Sequence, residues 1–309
     1  MTTITAALVA DLRAKTGVGM MDCKKALNET KGDMEAAIDW LRKKGLSKAA
    51  AKSDRIAAEG LVGIIAKGPM GAVTEVNSET DFVARNTQFQ EMVTAITGLS
   101  PKANGDVEKL LAMTYPGKTA IVADVVKEMI ATIGENMNVR RTATVAVSEG
   151  VVADYTHNKV ADGLGKIGVL VGLESKGDAA KLTALGRQVA MHIAARNPVA
   201  LDIDGIPADI LAREKAILLD KNKGKPDHVL EKIAASGLKT YAKENCLLDQ
   251  VFVLDETKTV AQALKDAEKG VGGAIKLTKY VRYALGEGIE KKTEDFAAEV
   301  AAAGGAPKA

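Results

Sequence analysis

The sequence is poor in aromatic residues and in cysteine. Only 3% of its 309 residues are Phe, Trp or Tyr. Proteins that bind single-stranded nucleic acid usually stack bases on aromatic side chains, so this chain is poorly supplied for that function. Its two cysteines have no zinc-ligand spacing with its three histidines. We therefore expect reduced thiols, as in a cytosolic protein, and no bound metal.

The chain also lacks an excess of charge of one sign and any long apolar run. The 42 Lys and Arg residues nearly balance the 40 Asp and Glu residues, so a direct nucleic-acid partner is not expected. No run reaches the roughly 18 apolar residues of a transmembrane helix. The first residues, with Thr2, Thr3 and Asp11, do not resemble a signal peptide. We expect a cytoplasmic protein that does not enter a membrane.

Apolar residues at helical spacing indicate three short helices within the first 45 residues. Asp33 is expected to cap the third helix, and Gly45 is expected to end it. The charged, alanine-rich stretch 47–58 then has the composition of a connector. This pattern places a domain boundary near residue 55.

After residue 60 the apolar pattern changes to that of strands. Two runs rich in β-formers flank Gly68–Gly71 and predict a hairpin over 61–78. The order strand, strand, helix occurs around 61–96 and again around 151–195, which suggests two similar units. Further strands are predicted over 139–147, 151–155, 167–173, 251–254 and 274–285, and further helices over 119–133 and 182–193.

Two helical segments are predicted outside this repeat. Residues 208–245 have two apolar stripes separated by a polar stretch, and Pro226 suits the first turn of the second helix. This pattern is typical of a helical hairpin. A last short helix is predicted over 294–302.

Gly163, Gly165 and Gly168 match the G-x-G-x-x-G pattern of dinucleotide-binding proteins. That pattern requires a helix after it, whereas here a strand is predicted, so we interpret it as a glycine-rich turn. The sequence also contains no G-x-x-x-x-G-K-[ST] loop. We therefore expect that the chain is not a GTPase and holds no nucleotide cofactor of its own.

The histidines show no catalytic arrangement in the sequence. His192 shares a helical stripe with Val189 and Ile193 and is predicted to be a partly buried structural residue. His157 follows a predicted strand, in a loop. Either a contact role or a solvated loop position fits it.

Two segments closely resemble the signature motifs of the elongation factor Ts family. They are LRAKTGVGMMDCKKAL at 12–27 and EVNSETDFVAR at 75–85. The resemblance continues through KIGVLVGLE at 166–174, AMHIAARNP at 190–198 and LGEGIEKKTEDFAAEVAA at 285–302. It implies a factor that promotes guanine-nucleotide exchange on elongation factor Tu, without cofactor and without covalent chemistry.

The first motif has two interpretations. Helical spacing alone favours a bundle with Leu12, Met20 and Met21 in its core and with Lys24 and Lys25 on the solvated face. The resemblance implies a module similar to a ubiquitin-associated domain, which docks on the nucleotide-binding domain of elongation factor Tu. Lys24 would be its contact.

The second motif also has two interpretations. Phe82 lies seven residues before Phe89, which fits a core aromatic on the same helical stripe, with Asp81 as the helix N-cap. The resemblance implies instead that Asp81 and Phe82 project from the core domain and wedge into the partner near its magnesium ion. Thr80 and Val83 flank this pair in the implied contact.

The resemblance implies three further contacts with elongation factor Tu. Ile133 and Gly134 match a helix end, and His157 matches a loop histidine near the partner's P-loop. Val253 and Leu254 match a Val-Met pair of the family. Leu254 departs from the family residue but keeps its volume and apolarity, so we expect the contact to be kept.

The residue patterns and the resemblance together predict an α+β fold. It has an N-terminal three-helix module, a core of two similar antiparallel-sheet subdomains with helices, an inserted helical hairpin and a C-terminal helix. The predicted divisions are 1–55 for the module and linker, 56–140 for the first core subdomain, 141–206 and 246–285 for the second, 207–245 for the hairpin, and 286–309 for the C-terminal module.

The implied partner is elongation factor Tu, both GDP-bound and nucleotide-free. The hairpin matches the family in position but little in sequence, so a homodimer or a 2:2 complex stays open. Two other classes compete with this interpretation: an adaptor for a different partner, such as a ribosomal component, and a nucleotide-dependent enzyme. Accelerated release of GDP from elongation factor Tu would separate the first interpretation from both.

Overall fold

The computed structural model describes residues 4–16 and 18–290. Its N-terminal part forms three helices, α1 (Ala6–Thr16), α2 (Met20–Glu29) and α3 (Met34–Ala50). The helices pack around Leu12, Cys23 and Leu27, which are completely buried. Asp33 caps α3, as predicted, by accepting a hydrogen bond from the Ala36 N–H at 2.9 Å. The three-helix module is confirmed.

The prediction that Gly45 ends the third helix is wrong. The helix continues to Ala50, five residues further. Alanine and lysine have high helix propensity, and this stretch is rich in both. Ala49 is also buried in the core of the first sheet, so packing holds the helix beyond the glycine.

The hairpin predicted over 61–78 is confirmed. Strands β1 (Glu59–Lys67) and β2 (Met70–Ser78) pair in antiparallel register across Gly68 and Pro69. Gly68 has a φ of +57°, a conformation that glycine adopts without steric strain. The chain then forms α4 (Thr87–Ala103), α5 (Val107–Ala112), α6 (Val122–Ile133) and β3 (Met137–Ala146). The short helix α5 was not predicted from the sequence.

A second unit repeats the order strand, strand, helix. Its elements are β4 (Gly150–His157), β5 (Leu164–Gly165), β6 (Ile167–Glu174) and α7 (Ala179–Arg196). Helix α4 packs on β1 and β2, and α7 packs in the same way on β4 and β6. β5 crosses to the first sheet, which has the order β3-β2-β1-β5. The order strand, strand, helix is thus present twice.

The remaining elements are α8 (Ala208–Lys221), α9 (Asp227–Asn245), β7 (Val251–Phe252), β8 (Asp255–Thr259), α10 (Val260–Val271) and β9 (Lys276–Ala284). α8 and α9 pack against each other as the predicted hairpin, and β9 completes a sheet of order β4-β6-β9. The strand predicted over 251–254 is shorter, because Val253 and Leu254 form the turn before β8. The helix predicted over 294–302 lies outside the described residues.

The two sheets pack against each other through small apolar residues. The residues of this interface include Val62, Val73, Val145, Val152 and Leu170. Gly168 allows the close approach, because a Cβ atom there would lie 2.8 Å from Val62 Cγ1. Gly163 lies in a turn with a φ of +66°. Gly165 lies in β5 and Gly168 in β6, so a strand and not a helix occupies the end of the pattern, and the expected turn covers only Gly163.

A buried carboxylate ties the first sheet to the segment after β9. Glu75, on β2, is completely buried and accepts hydrogen bonds from Arg140 Nη1 at 3.1 Å and Arg141 Nε at 2.5 Å. Its Oε1 also accepts from the Gly286 N–H at 2.8 Å. Burial by itself raises the pKa of Glu75, but the hydrogen bonds from Gly286, Asn77 and Arg141 outweigh it and hold the pKa below its ordinary value.

Candidate functional site

Residues 79–83, called here the Phe82 loop, present an aromatic side chain to solvent. The side chain of Phe82 is 76% exposed, whereas Val83 beside it is buried in the core of the first sheet. On the other side, Ser78 Oγ donates to the Thr80 carbonyl oxygen at 3.0 Å. The loop is therefore anchored on both sides of Asp81 and Phe82.

The interpretation of Phe82 as a core residue is wrong. Helix α4 begins only at Thr87, and Asn86 rather than Asp81 is its N-cap, accepting from the Phe89 N–H at 3.1 Å. Phe89 is completely buried. Phe82 precedes the helix and does not share its apolar stripe, so a partner contact remains the prediction for it.

The structure brings Ile133 and Gly134 next to the Phe82 loop. Gly134 ends α6 with a φ of +94°. The following Glu135 accepts two hydrogen bonds from Thr80, from its N–H at 2.9 Å and from its Oγ1 at 2.6 Å. In return, Glu79 Oε1 accepts from the Asn136 N–H at 2.5 Å. Two of the predicted contact segments are thus joined by a reciprocal pair of side-chain to backbone bonds.

The linker from the N-terminal module meets the same junction. Asn136 Nδ2 donates to the carbonyl oxygens of Ser53 at 3.3 Å and Arg55 at 2.7 Å. Lys52 Nζ donates to the carbonyl oxygen of Gly134 at the end of α6. The Arg55 guanidinium lies 3.5 Å from the Glu79 carboxylate. Three segments of the chain therefore meet at the base of the Phe82 loop.

The exposed face of α2 carries Lys24 together with two methionines. Met20 is 50% exposed and Met21 is 79% exposed, and both lie three or four residues before Lys24, on the same side of the helix. Cys23, Ala26 and Leu27 of the same helix are buried. The expectation that Met20 and Met21 belong to the bundle core is therefore wrong, while Leu12 is in it.

His157 is the last residue of β4 and is exposed. The strand continues two residues beyond its predicted end, so His157 lies at a strand end rather than in a loop. Its Nδ1 is 3.0 Å from the hydroxyl oxygen of Tyr155, two residues earlier on the same face of the strand. Tyr155 is thus a hydrogen-bond partner of the imidazole.

Val253 and Leu254 form the turn between β7 and β8, and Leu254 is 50% exposed. Buried His192 holds this turn, because its Nδ1 accepts from the Val253 N–H at 3.1 Å. Its Nε2 lies 2.9 Å from Gln250 Oε1 and must donate, which defines a neutral tautomer. Burial lowers the pKa of His192. The prediction of a structural histidine is confirmed, with more complete burial than expected.

The predicted contacts belong to different elements: Lys24 is on α2, the Phe82 loop follows β2, and Val253 and Leu254 join β7 to β8. In the part of the chain that the structure describes, no hydrogen bond or ion pair joins Lys24, Val253 or Leu254 to the Phe82 loop. Within that same part, no group of His, Cys, Asp and Glu side chains could hold a metal ion. Across residues 4–16 and 18–290, no helix has both the length and the apolarity to cross a bilayer.

Sequence reasoning missed the residues that hold these surfaces in place. Glu135 and Asn136 follow the predicted Ile133–Gly134 contact directly, but nothing in their identity indicates a bond to residues more than fifty positions earlier. His192 was recognised as structural, yet its bond to Val253 depends on the fold. The one feature of the sequence that could have indicated Glu135 and Asn136 is their position directly after a predicted contact.

Comparison with known proteins decides the family. A family model described as elongation factor TS matches residues 79–287. The chain is 61% identical over 304 residues to an elongation factor Ts of Methylobacterium sp. (strain 4-46), a match that covers 98% of this chain and 99% of the relative. This chain belongs to the elongation factor Ts family. An elongation factor Ts of Bradyrhizobium diazoefficiens is 60% identical over 307 residues, covering 99% of each chain.

Membership in the elongation factor Ts family places the chain among translation elongation factors. The family model begins at Glu79, the first residue of the Phe82 loop, and ends at Glu287, which lies 3.6 Å from Arg141, a partner of Glu75. The N-terminal module lies outside that model but inside the match to the relatives. An elongation factor Ts of Xanthobacter autotrophicus is similar over 305 residues, at 59% identity and 99% coverage of each chain.

Proposed function

We propose that this chain promotes the release of GDP from elongation factor Tu in the cytoplasm, by inserting Phe82 into the partner near its nucleotide-bound magnesium ion. The observation that carries the proposal is the 76% exposure of Phe82 on a loop anchored at both ends. Single exposed apolar residues are common on protein surfaces. A rigidly presented phenylalanine is suited to fill a pocket in another protein.

The energy available from this residue is large enough to matter. Burial of a phenylalanine side chain contributes about 2–3 kcal/mol. The Phe82 loop is already ordered by Thr80 and Val83, so little conformational entropy is lost on binding. Since about 1.4 kcal/mol corresponds to a factor of ten, insertion could oppose nucleotide binding by about 30- to 150-fold.

The proposed mechanism weakens the partner's hold on GDP and forms no covalent bond. Bound nucleotide is held by backbone amides around the phosphates, by a lysine and by magnesium. Displacement of one of these weakens the others, because they neutralise the same charge. Asp81 is exposed beside Phe82, and a carboxylate there would compete with phosphate oxygens for the magnesium ion. The proposed mechanism requires no catalytic acid, base or nucleophile from this chain.

Thermodynamic linkage explains why such a factor is released again. If the factor lowers the affinity for nucleotide by some ratio, nucleotide lowers the affinity for the factor by the same ratio. The complex is therefore an intermediate, and binding of either GDP or GTP to elongation factor Tu releases the factor from it. We propose that both GDP-bound and nucleotide-free elongation factor Tu bind this chain.

The remaining predicted contacts would dock the partner around the Phe82 loop. We assign this role to Lys24 on α2, to Ile133–Gly134, to His157 and to the Val253–Leu254 turn. Their position on different elements of the fold fits a partner with several domains. These residues supply affinity for elongation factor Tu, and Phe82 displaces the groups that hold GDP.

Release of labelled GDP from purified elongation factor Tu tests the proposal. A small amount of the chain is added in the presence of excess unlabelled GDP. We expect accelerated release of far more GDP than the amount of chain added, because each molecule acts repeatedly. Unchanged release would overturn the proposal and favour an adaptor for another partner. Hydrolysis of GTP by the chain alone would favour an enzyme.

A further inference from the structure

Two adjacent residues of the Phe82 loop pair reciprocally with two adjacent residues after α6. The Glu135 carboxylate accepts from the Thr80 N–H and hydroxyl, at 2.9 and 2.6 Å. The Glu79 carboxylate accepts from the Asn136 N–H at 2.5 Å. Together these bonds form a clamp between the loop and the end of α6. The clamp leaves Asp81 and Phe82 as the residues that project.

The bonds of Glu135 fix the backbone immediately before Asp81. Thr80 uses its N–H, its hydroxyl and its carbonyl oxygen in three separate hydrogen bonds, two of them to Glu135 and one from Ser78. Hydrogen bonds to an ionised acceptor are about twice as strong as neutral ones. Because both oxygens of one carboxylate are used, the bonds fix direction as well as distance.

We propose that Glu135 is a positioning residue for nucleotide exchange. Its carboxylate sets the angle at which Phe82 leaves the protein surface, and through Asn136 it links that angle to the linker of the N-terminal module. This inference rests on the proposed exchange function. It predicts that loss of Glu135 impairs exchange within the bound complex, because docking depends on other residues.

Steady-state exchange on elongation factor Tu separates positioning from docking. We expect Glu135→Ala to lower the saturated rate of GDP release about tenfold, since small displacements of a positioned group have large effects on rate. The half-saturating concentration should change by less than about threefold, because the docking surfaces remain. Glu135→Gln keeps one acceptor oxygen and should give an intermediate rate.

Glu128→Ala is the matched control. Glu128 lies on α6, and its side chain is 40% exposed and paired with Lys118 at 3.0 Å. Loss of this surface pair should leave the exchange rate unchanged. Amide hydrogen exchange at Thr80 gives a readout that needs no partner, and it should accelerate in Glu135→Ala but not in Glu128→Ala. If Glu135→Ala does not fold, Glu135→Gln and Thr80→Val replace it in both measurements.

The outcomes distinguish this inference from the function on which it rests. Absence of exchange by the wild-type chain would overturn the proposed function and the inference with it. Active wild-type chain with an unchanged saturated rate in folded Glu135→Ala would overturn the inference alone. A raised half-saturating concentration at an unchanged saturated rate would also overturn it, since Glu135 would then serve docking.

Discussion

His192 Nδ1 accepts a hydrogen bond from the backbone N–H of Val253 at 3.1 Å. This bond requires an unprotonated Nδ1, so the turn that carries Leu254 depends on a neutral imidazole. Burial is the main cause that lowers the pKa of His192, and the charge of Arg196 lowers it further, against a smaller opposing effect of the Gln250 hydrogen bond.

The first prediction concerns stability below neutral pH. In the unfolded chain a histidine titrates near pH 6.5, whereas in the folded chain the pKa of His192 is lower. Below about pH 6.5 the unfolded state therefore binds more protons, and the free energy of unfolding falls as pH falls, by at most about 1.4 kcal/mol per pH unit. Denaturant unfolding at several pH values measures this slope.

His192→Gln should remove that part of the pH dependence, because glutamine does not titrate. It should also lower stability at neutral pH by about 1–3 kcal/mol through loss of buried hydrogen bonds. His228→Gln is the control for the replacement of a histidine by glutamine, since His228 is exposed on α9. Equal slopes in the wild type and in His192→Gln would contradict the account.

The second prediction concerns the buried carboxylate of Glu75. Glu75→Gln should lower the free energy of unfolding by about 3 kcal/mol, because Arg140 and Arg141 lose their shared partner. Since the pKa of Glu75 is depressed, its stabilisation is present above about pH 4.5 and disappears as pH falls through the folded-state value. Glu149→Gln, at an exposed pair 4.0 Å from Lys176, should have little effect. Similar unfolding curves for both variants would contradict this role.

The third prediction concerns the packing of the two sheets. Gly168→Ala places a methyl group 2.8 Å from Val62 Cγ1 and 3.2 Å from Val73 Cγ2, so it should destabilise the protein by about 1–3 kcal/mol. Gly98→Ala is the control. Gly98 lies in α4 with open space around its Cα, and alanine there should stabilise by about 0.5–1 kcal/mol. Thermal unfolding of both variants measures these changes. A wild-type melting temperature for Gly168→Ala would contradict the close packing of the two sheets at this residue.

Local patterns in the sequence predicted much of this fold. The hairpin around Gly68 and the helical hairpin over 208–245 follow from turn residues and apolar periodicity, which act over a few positions. Helix α10 could also have been predicted, because Thr259 and Gln262 form a capping box. Its apolar residues Val260, Leu264, Ala267 and Val271 also recur at helical spacing.

Long-range contacts could not be predicted in this way. Nothing in the sequence around Glu75 indicates arginine partners 65 and 66 residues later or the backbone of Gly286. The end of the third helix was misplaced at Gly45 because burial of Ala49 by another element outweighs one glycine. The resemblance indicated Phe82 as a contact residue. The bonds from Thr80 to Glu135 join residues far apart in the sequence, so only the structure shows them.

The fourth prediction compares two phenylalanines seven residues apart. Phe89 is completely buried, so Phe89→Ala should destabilise the protein by about 3–5 kcal/mol and leave exchange per folded molecule unchanged. Phe82 is 76% exposed, so Phe82→Ala should change stability by less than about 0.5 kcal/mol.

The saturated rate of GDP release from elongation factor Tu by Phe82→Ala is the most direct test of the proposed function. The account predicts a rate at least about tenfold below that of the wild type, from loss of the roughly 2 kcal/mol that Phe82 contributes in the complex, at an unchanged melting temperature. A wild-type rate in the folded variant would contradict it.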